Sequence, residues 1–276
     1  MSSLSTVYVH YLRNYYRSRS FYLMLILILM ISSLMTYFSF RYYSKVPEFL
    51  ASFHVTSLPP VLRYRVFAYF WAFVLTTVPV FASVFFGSPA ISGGEMENRT
   101  AYHIFQLPVG RFTLYSGKYL AALTVSVIIA LIYIAFQVAV LRVLLGMGPV
   151  PQFYISLGML LLFISTIMSI TFMVSTFFSR NMYAYITVLI AYYIVLDALN
   201  IILQLLYNID PYYLLNNVAA SVEEAYLDVN ITGFGAPGSL SPMPYATVAR
   251  NAYIMVLYLV VAFVIGALIF ERREVK

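Results

Sequence analysis

Apolar positions run in long blocks, separated by short polar punctuation. No Asp, Glu, Lys or Arg interrupts residues 20–40, 66–94, 119–141 or 251–270. Residues 143–179 are also uncharged, with the turn sequence Gly146-Met147-Gly148-Pro149-Val150-Pro151 near their start. A further apolar run over about 184–207 carries one acid, Asp197. Crossing the hydrocarbon of a bilayer takes about 20 helical residues. The pattern therefore predicts an all-α polytopic membrane protein, residues 1–276 forming one transmembrane domain, with six transmembrane helices near 21–40, 66–88, 119–145, 153–178, 184–207 and 252–270.

The segments between the blocks carry their own periodicity. Ahead of the first block, Val7/Tyr8, Tyr11/Leu12 and Tyr15/Tyr16 recur every four residues, with His10, Arg13, Asn14 and Arg17 opposite. That spacing predicts an amphipathic helix, which beside a membrane lies in the interface plane. The first block lies too deep in the chain, and runs too long, for the apolar core of a cleaved signal. Loop 41–65 contains Pro47, Pro59 and Pro60, and the links at 146–152 and 179–183 are short enough to make tight helix pairs. The longest connection, 208–251, starts with PYYLLNNVAASVEEAYL, which fits one or two short helices, and continues with the turn-rich GFGAPGSLSPMP. Pro79 is expected to kink the second span, with Thr76 and Thr77 placed to re-satisfy the freed backbone.

Composition agrees with membrane residence: 62% of residues are apolar, 18% aromatic and 9% charged, and the mean hydropathy is +0.87. The +6 net charge is informative through its distribution and does not point to a nucleic-acid partner. With six spans both termini share one side, where Arg13, Arg17, Arg19, Arg99, Arg111, Lys118, Arg180, Arg272, Arg273 and Lys276 collect. The opposite side holds six basic residues, Arg41, Lys45, Arg63, Arg65, Arg142 and Arg250, so the positive-inside tendency puts both termini in the cytoplasm. Asp210, Glu223, Glu224, Asp228 and the sequon Asn230-Ile231-Thr232 then fall outside.

Few groups are available for chemistry. There are no cysteines, and His10, His54 and His103 fall on two sides of the membrane, without an H-E-x-x-H motif or an acid pair within a span. Gly110 and Gly117-Lys118 are spaced G-x6-G-K and followed by Tyr119, so the phosphate-binding loop pattern is not met. No segment on the cytoplasmic side is large enough to fold as a nucleotide-binding domain. The chain itself is not expected to be an enzyme or to bind a cofactor or metal.

One polar stripe enters the apolar core. Tyr193, Asp197, Asn200 and Gln204 stand at i, i+4, i+7 and i+11, on one face of the fifth span. Asp197 lies about 20 Å along the helix from its cytoplasmic end, near mid-membrane. A carboxylate there needs water, a partner or another helix. Two readings stay open: a substrate pathway, or a structural tie to Gln137 or Arg142 of the third span. Ser165, Thr166, Ser169 and Thr176 of the fourth span read as close-packing positions.

A charged, Pro-interrupted segment stands between two of these spans: GGEMENRTAYHIFQLPVGRFTLYSGK, residues 93–118, with five charged side chains in a chain that is 9% charged. Ser92 and Glu95 have capping-box spacing, residues 95–107 fit a helix, and Pro108 ends it before a second helix from about Arg111 leads into the third span. Glu95-x-Glu97-x-x-Thr100, then Leu107-Pro108-Val109-x-Arg111, then Lys118, resemble the signature segment of type 2 ABC transporter permeases. The resemblance extends to the layout of essentially the whole chain, although Asn98-Arg99 and Gly110 depart from the usual pattern. It implies a six-span permease with an in-plane N-terminal helix, a cytoplasmic coupling helix between spans 2 and 3, and a long extracellular segment between spans 5 and 6.

It further implies an exporter in the plasma membrane, with both termini cytoplasmic and energised by a separate ATP-binding subunit. Two copies of that subunit, holding ATP and Mg, would pair with a homodimer of permeases or with a related second chain, surrounded by membrane lipids. Glu95, Glu97, Arg99, Thr100, Pro108, Arg111 and Lys118 would carry coupling, and the Tyr193–Gln204 stripe would line the dimer interface and substrate path. Two other classes compete: an ion-coupled secondary transporter using Asp197, against which the lack of an inverted repeat speaks, and a non-transporting relay or immunity protein on the same scaffold.

Overall fold

A computed structural model of the chain describes residues 3–42, 60–91, 109–146, 149, 151–209, 211–227 and 245–272. Among these residues all regular structure is helical. The helices are α1 Ser3–Arg17, α2 Arg19–Tyr42, α3 Pro60–Gly87, α4 Arg111–Leu145, α5 Pro151–Ser175, α6 Asn181–Tyr207, α7 Leu215–Leu227 and α8 Tyr245–Arg272. Five of them, α2, α4, α5, α6 and α8, are long and apolar enough to cross a membrane. The end of α3 with the turn after it adds a shorter apolar stretch, Val74–Ala90.

A helix covers most of each expected segment and generally starts before it, because helical geometry outlasts the apolar run. At the C-terminal side α3 stops at Gly87 and α5 at Ser175, short of the expected ends. The helix from Arg111 continues through the apolar run 119–145 without a break. α4 is the central element, packed against α1, α2, α3, α5 and α8. Tyr133 Oη donates to the Trp71 carbonyl at 2.9 Å, and Trp71 Nε1 donates to Ser39 Oγ at 3.1 Å, tying α4, α3 and α2 together. Thr166 Oγ1 on α5 reaches the Met255 carbonyl of α8 at 3.1 Å, and Ser169 Oγ donates to Tyr119 Oη of α4 at 3.1 Å, so the α5 hydroxyls serve packing. Gly146, at φ 66°, ends α4 in a left-handed cap and its N–H returns to the Arg142 carbonyl at 3.0 Å. That is a conformation glycine adopts without a Cβ penalty.

α1 has the expected amphipathic division. Val7, Tyr8, Tyr11, Leu12, Tyr15 and Tyr16 are half-buried, while His10, Arg13, Asn14 and Arg17 are exposed. Its apolar face lies on α4. A Cβ added to Gly117 would sit 2.5 Å from the Val7 side chain and 3.4 Å from the Tyr8 backbone nitrogen, so the two helices meet where α4 has no side chain. By contrast α6 is peripheral, with Ile186, Ile190, Ile194, Ile201 and Leu205 exposed, as suits a surface facing lipid or another apolar partner.

Candidate functional site

α3 stops at Gly87, and a tight 3-10 turn, Ser88–Ala90, carries the chain to Ile91. This turn is the root of segment 92–108. Glu95, Glu97, Arg99, Thr100 and Pro108 lie in that segment, outside the described residues. The root is described fully, and four helices converge on it.

A helix end leaves its last carbonyls without intrahelical partners, and inside a packed bundle side chains must supply them. From α1, Tyr15 Oη donates to the Phe86 carbonyl at 2.9 Å, and its ring stands edge-on to Phe86 at 5.9 Å. From α4, Lys118 Nζ donates to the Ala90 carbonyl at 3.0 Å. From α5, Ser175 Oγ donates to the Ser88 carbonyl at 2.8 Å. Ser88 Oγ in turn donates to Asn181 Oδ1, at the first residue of α6, at 2.6 Å.

Lys118 is only 1% exposed. Its ammonium lies 5.0 Å from the centroid of the Tyr11 ring of α1. A buried ammonium is costly unless polar groups replace its water. Here a carbonyl and a π-face do so, and they belong to two different elements. The residue expected at the mouth of the third span is thus turned inward, joining α4, the root and α1. Arg111, seven residues earlier, is half-buried and donates from Nη1 to the Glu271 carbonyl at 2.6 Å. That bond places a cation on the C-terminal turn of α8, where unpaired carbonyls and the helix dipole favour it. The structure does not bring Arg111 and Lys118 to one spot: Arg111 ties α4 to α8, and Lys118 ties α4 to the root.

The polar stripe of α6 is divided between two neighbours. A π-helical turn, Ala191–Val195, interrupts the α-helix immediately before Asp197, and such turns rotate the residues on either side relative to each other. Tyr193 stacks on Phe81 of α3 at 5.8 Å. Asp197 accepts a hydrogen bond from Asn216 Nδ2 at 2.8 Å, and Asn200 accepts one from Asn217 Nδ2 at 2.9 Å. Gln204 Nε2 donates back to Asn200 Oδ1 at 3.2 Å. The tie of Asp197 therefore runs to the first turn of α7, and not to Gln137 or Arg142. Gln137 is fully buried, with no hydrogen-bond partner for its amide among the described residues, and Arg142 is exposed.

Charge distribution concerns only the side of the membrane on which Glu223 lies. The structure adds that its carboxylate packs against α3, where Thr76 Oγ1 donates to Oε1 at 2.6 Å. Thr76 is therefore turned toward α7, in place of the expected back-bond to its own helix. Burial pushes the Glu223 carboxyl up from its usual range, and the Thr76 hydroxyl opposes that shift. The signal available in the sequence was the run Leu214, Val218 and Val222 at helical spacing, which marks one buried face. It carried no sign that the opposite face is covered too.

The arrangement is mechanical more than chemical. Among the described residues no group of three or more His, Cys, Asp or Glu side chains is placed to hold a metal ion. A family model described as ABC-2 family transporter protein matches residues 6–275 of the chain. No curated protein matches the sequence.

Proposed function

The chain belongs to the ABC-2 transporter family, and from that membership we propose that it is the six-span permease of an ABC exporter whose ATP-binding subunits dock on segment 93–118. Membership makes the chain a multi-pass membrane subunit that works with an ABC ATP-binding subunit and is not itself the ATPase. The finer reading adds α3 as the second of six spans, both termini in the cytoplasm, ATP and Mg on two copies of the partner, and a second permease beside this one. α1 then lies in the plane of the cytoplasmic interface.

The observation that supports the docking site is the convergence of α4, α5 and α6 on the root, Ser88–Ala90, and of α1 on Phe86 in the last turn of α3 just before it. A free loop end needs no such tethering. A load applied to residues 92–108 reaches the root first, and four hydrogen bonds of 2.6–3.0 Å hand it to four helices at once. Packed helices respond by rigid-body displacement more readily than by bending. Glu95 and Glu97 would meet the partner, Arg99 and Thr100 would fix the docked helix, and Pro108 would end it before Arg111. The stripe Tyr193, Asp197, Asn200 and Gln204 belongs to the substrate path in this reading.

Glu95→Ala and Glu97→Ala together test the assignment. The reconstituted complex should keep its fold and lose substrate-stimulated ATP hydrolysis; stimulation unchanged from the parent would remove this segment from coupling.

A further inference from the structure

The corner where α1 turns into α2 carries charge that the bundle does not use. α1 lies across α4 and the end of α3: Tyr8 Oη is 3.2 Å from Thr124 Oγ1, and Tyr15 Oη holds the Phe86 carbonyl. The apolar face of α1 is thus taken up by the protein, and the opposite face, with Arg13 and Arg17, is exposed. Ser18 fixes the corner. Its hydroxyl donates to the Tyr15 carbonyl at 2.7 Å and accepts from the Phe21 N–H at 3.2 Å, so one side chain closes α1 and opens α2.

Arg19, the first residue of α2, is exposed as well. No acid offsets these three cations locally. The first acid in the sequence is Glu48, and Glu271, at the far end of α8, is the one acid described at the root end of the bundle. Beyond Arg19 the same face of α2 changes character. Leu23, Ile26 and Met30 stand four, seven and eleven residues further on, so they share its face, and they are 57%, 65% and 64% exposed. The stripe runs about 16 Å along a helix long enough to cross a membrane.

An apolar stripe this open suits acyl chains, and the arginines sit at headgroup depth because α2 starts beside them. The two halves of the surface match the two halves of one kind of molecule. A zwitterionic headgroup brings its own cation and gains little from arginines without acids, whereas an anionic one gains from each. The planar guanidinium fork also fits phosphate oxygens. A second copy of the chain docked here about a twofold axis would bring the same arginines toward one another.

We infer that the α1–α2 corner binds an anionic phospholipid, with Arg13, Arg17 and Arg19 on the headgroup and Leu23, Ile26 and Met30 along an acyl chain. The site requires a chain that spans a membrane, as the family and the long apolar helices show. It does not depend on which leaflet holds the corner, or on the docking of an ATP-binding subunit.

A photoreactive side chain in place of Leu23 reads the occupant directly. The full chain is reconstituted in vesicles of equal parts phosphatidylglycerol and phosphatidylcholine and illuminated, and the captured lipid is identified by mass spectrometry. Leu257 of α8, 52% exposed, is the reference position. Phosphatidylglycerol should be captured about fivefold or more over phosphatidylcholine at 23, a factor that one arginine near an anionic lipid accounts for, and at the vesicle ratio at 257. Arg13→Gln, Arg17→Gln and Arg19→Gln together should bring position 23 to the vesicle ratio. The corresponding three lysine replacements should keep the preference, because the charge remains.

Capture at the vesicle ratio at 23 in the parent, an equal preference at 257, or a preference that survives the glutamine variant would overturn the site. So would capture of a second copy of the chain in place of lipid. No ATP-binding subunit is present, so failure of the docking assignment leaves this result standing, and the reverse also holds.

Discussion

Lys118 and Ala90 are 28 positions apart in sequence and meet through a 3.0 Å hydrogen bond from the buried ammonium to the backbone carbonyl. Tyr11 of α1 lies against the same ammonium, 5.0 Å from ring centroid to nitrogen. One side chain therefore joins the first turns of α4, the turn that follows α3 and the N-terminal helix α1. A surface docking cation would be solvated; this one has exchanged its water for contacts within the chain.

Lys118→Met separates stability from transmission. Methionine fills the same space without a charge to desolvate, so folding stability should change by no more than about 1 kcal/mol, read as the thermal midpoint in detergent. Lys118→Glu should cost about 3–5 kcal/mol, because it buries an anion beside a carbonyl oxygen. The methionine variant should still copurify with the ATP-binding subunit while losing stimulated hydrolysis. Full stimulation in Lys118→Met would show that the root does not need this tie.

Gly117→Val loads the crossing of α1 and α4. The added atoms fall where the Val7 side chain already sits, and overpacking of this kind costs about 1–3 kcal/mol. Lifting α1 off α4 is the easiest relief, since the Val7 side chain is the nearest obstacle. Trypsin should then cut faster after Arg13 and Arg17 than in the parent, and an unchanged digestion pattern would contradict the close contact.

Asp197→Asn and Asp197→Leu decide what that residue does. Asparagine can still accept from Asn216, so stability should hold within about 0.5 kcal/mol, whereas leucine leaves the Asn216 amide unpaired and should cost about 1–3 kcal/mol. Flux that survives Asp197→Asn excludes a proton carrier at this position. Flux abolished by Asp197→Asn in a stable protein would instead favour ion coupling.

The Glu223 carboxyl gives the protein a pH response. Its folded value is raised above the ordinary 4.5, so the folded chain holds this proton more tightly than the unfolded chain. The contribution is complete below 4.5 and is lost as pH rises through the higher folded value. On acidification from about pH 7 toward pH 5, the parent should gain thermal stability relative to Glu223→Gln. Parallel curves for the two proteins would remove this residue as the cause.

The long apolar helices were legible because hydrocarbon imposes a length and an apolar composition that few other structures share. The face of α1 was legible because Val7, Tyr11 and Tyr15 repeat at helical spacing. The partner of Asp197 was not. Its bond to Asn216 crosses from α6 to a helix that charge alone would put in water, and a π turn changes the face on which Asp197 emerges. The root was equally hidden. Ser88, Ser175 and Asn181 look like ordinary polar ends of apolar runs until folding links them at the turn that follows α3.

The central claim is that an ATP-binding subunit delivers its motion through the segment rooted at Ser88–Ala90. Photoreactive residues placed one at a time at 95, 97 and 103, with 245 and 253 as controls, test it directly in the copurified complex. The account predicts crosslinks to the ATP-binding subunit from 95, 97 or 103 and none from the controls. A complex that copurifies intact, yet crosslinks only from positions outside 92–108, would contradict it.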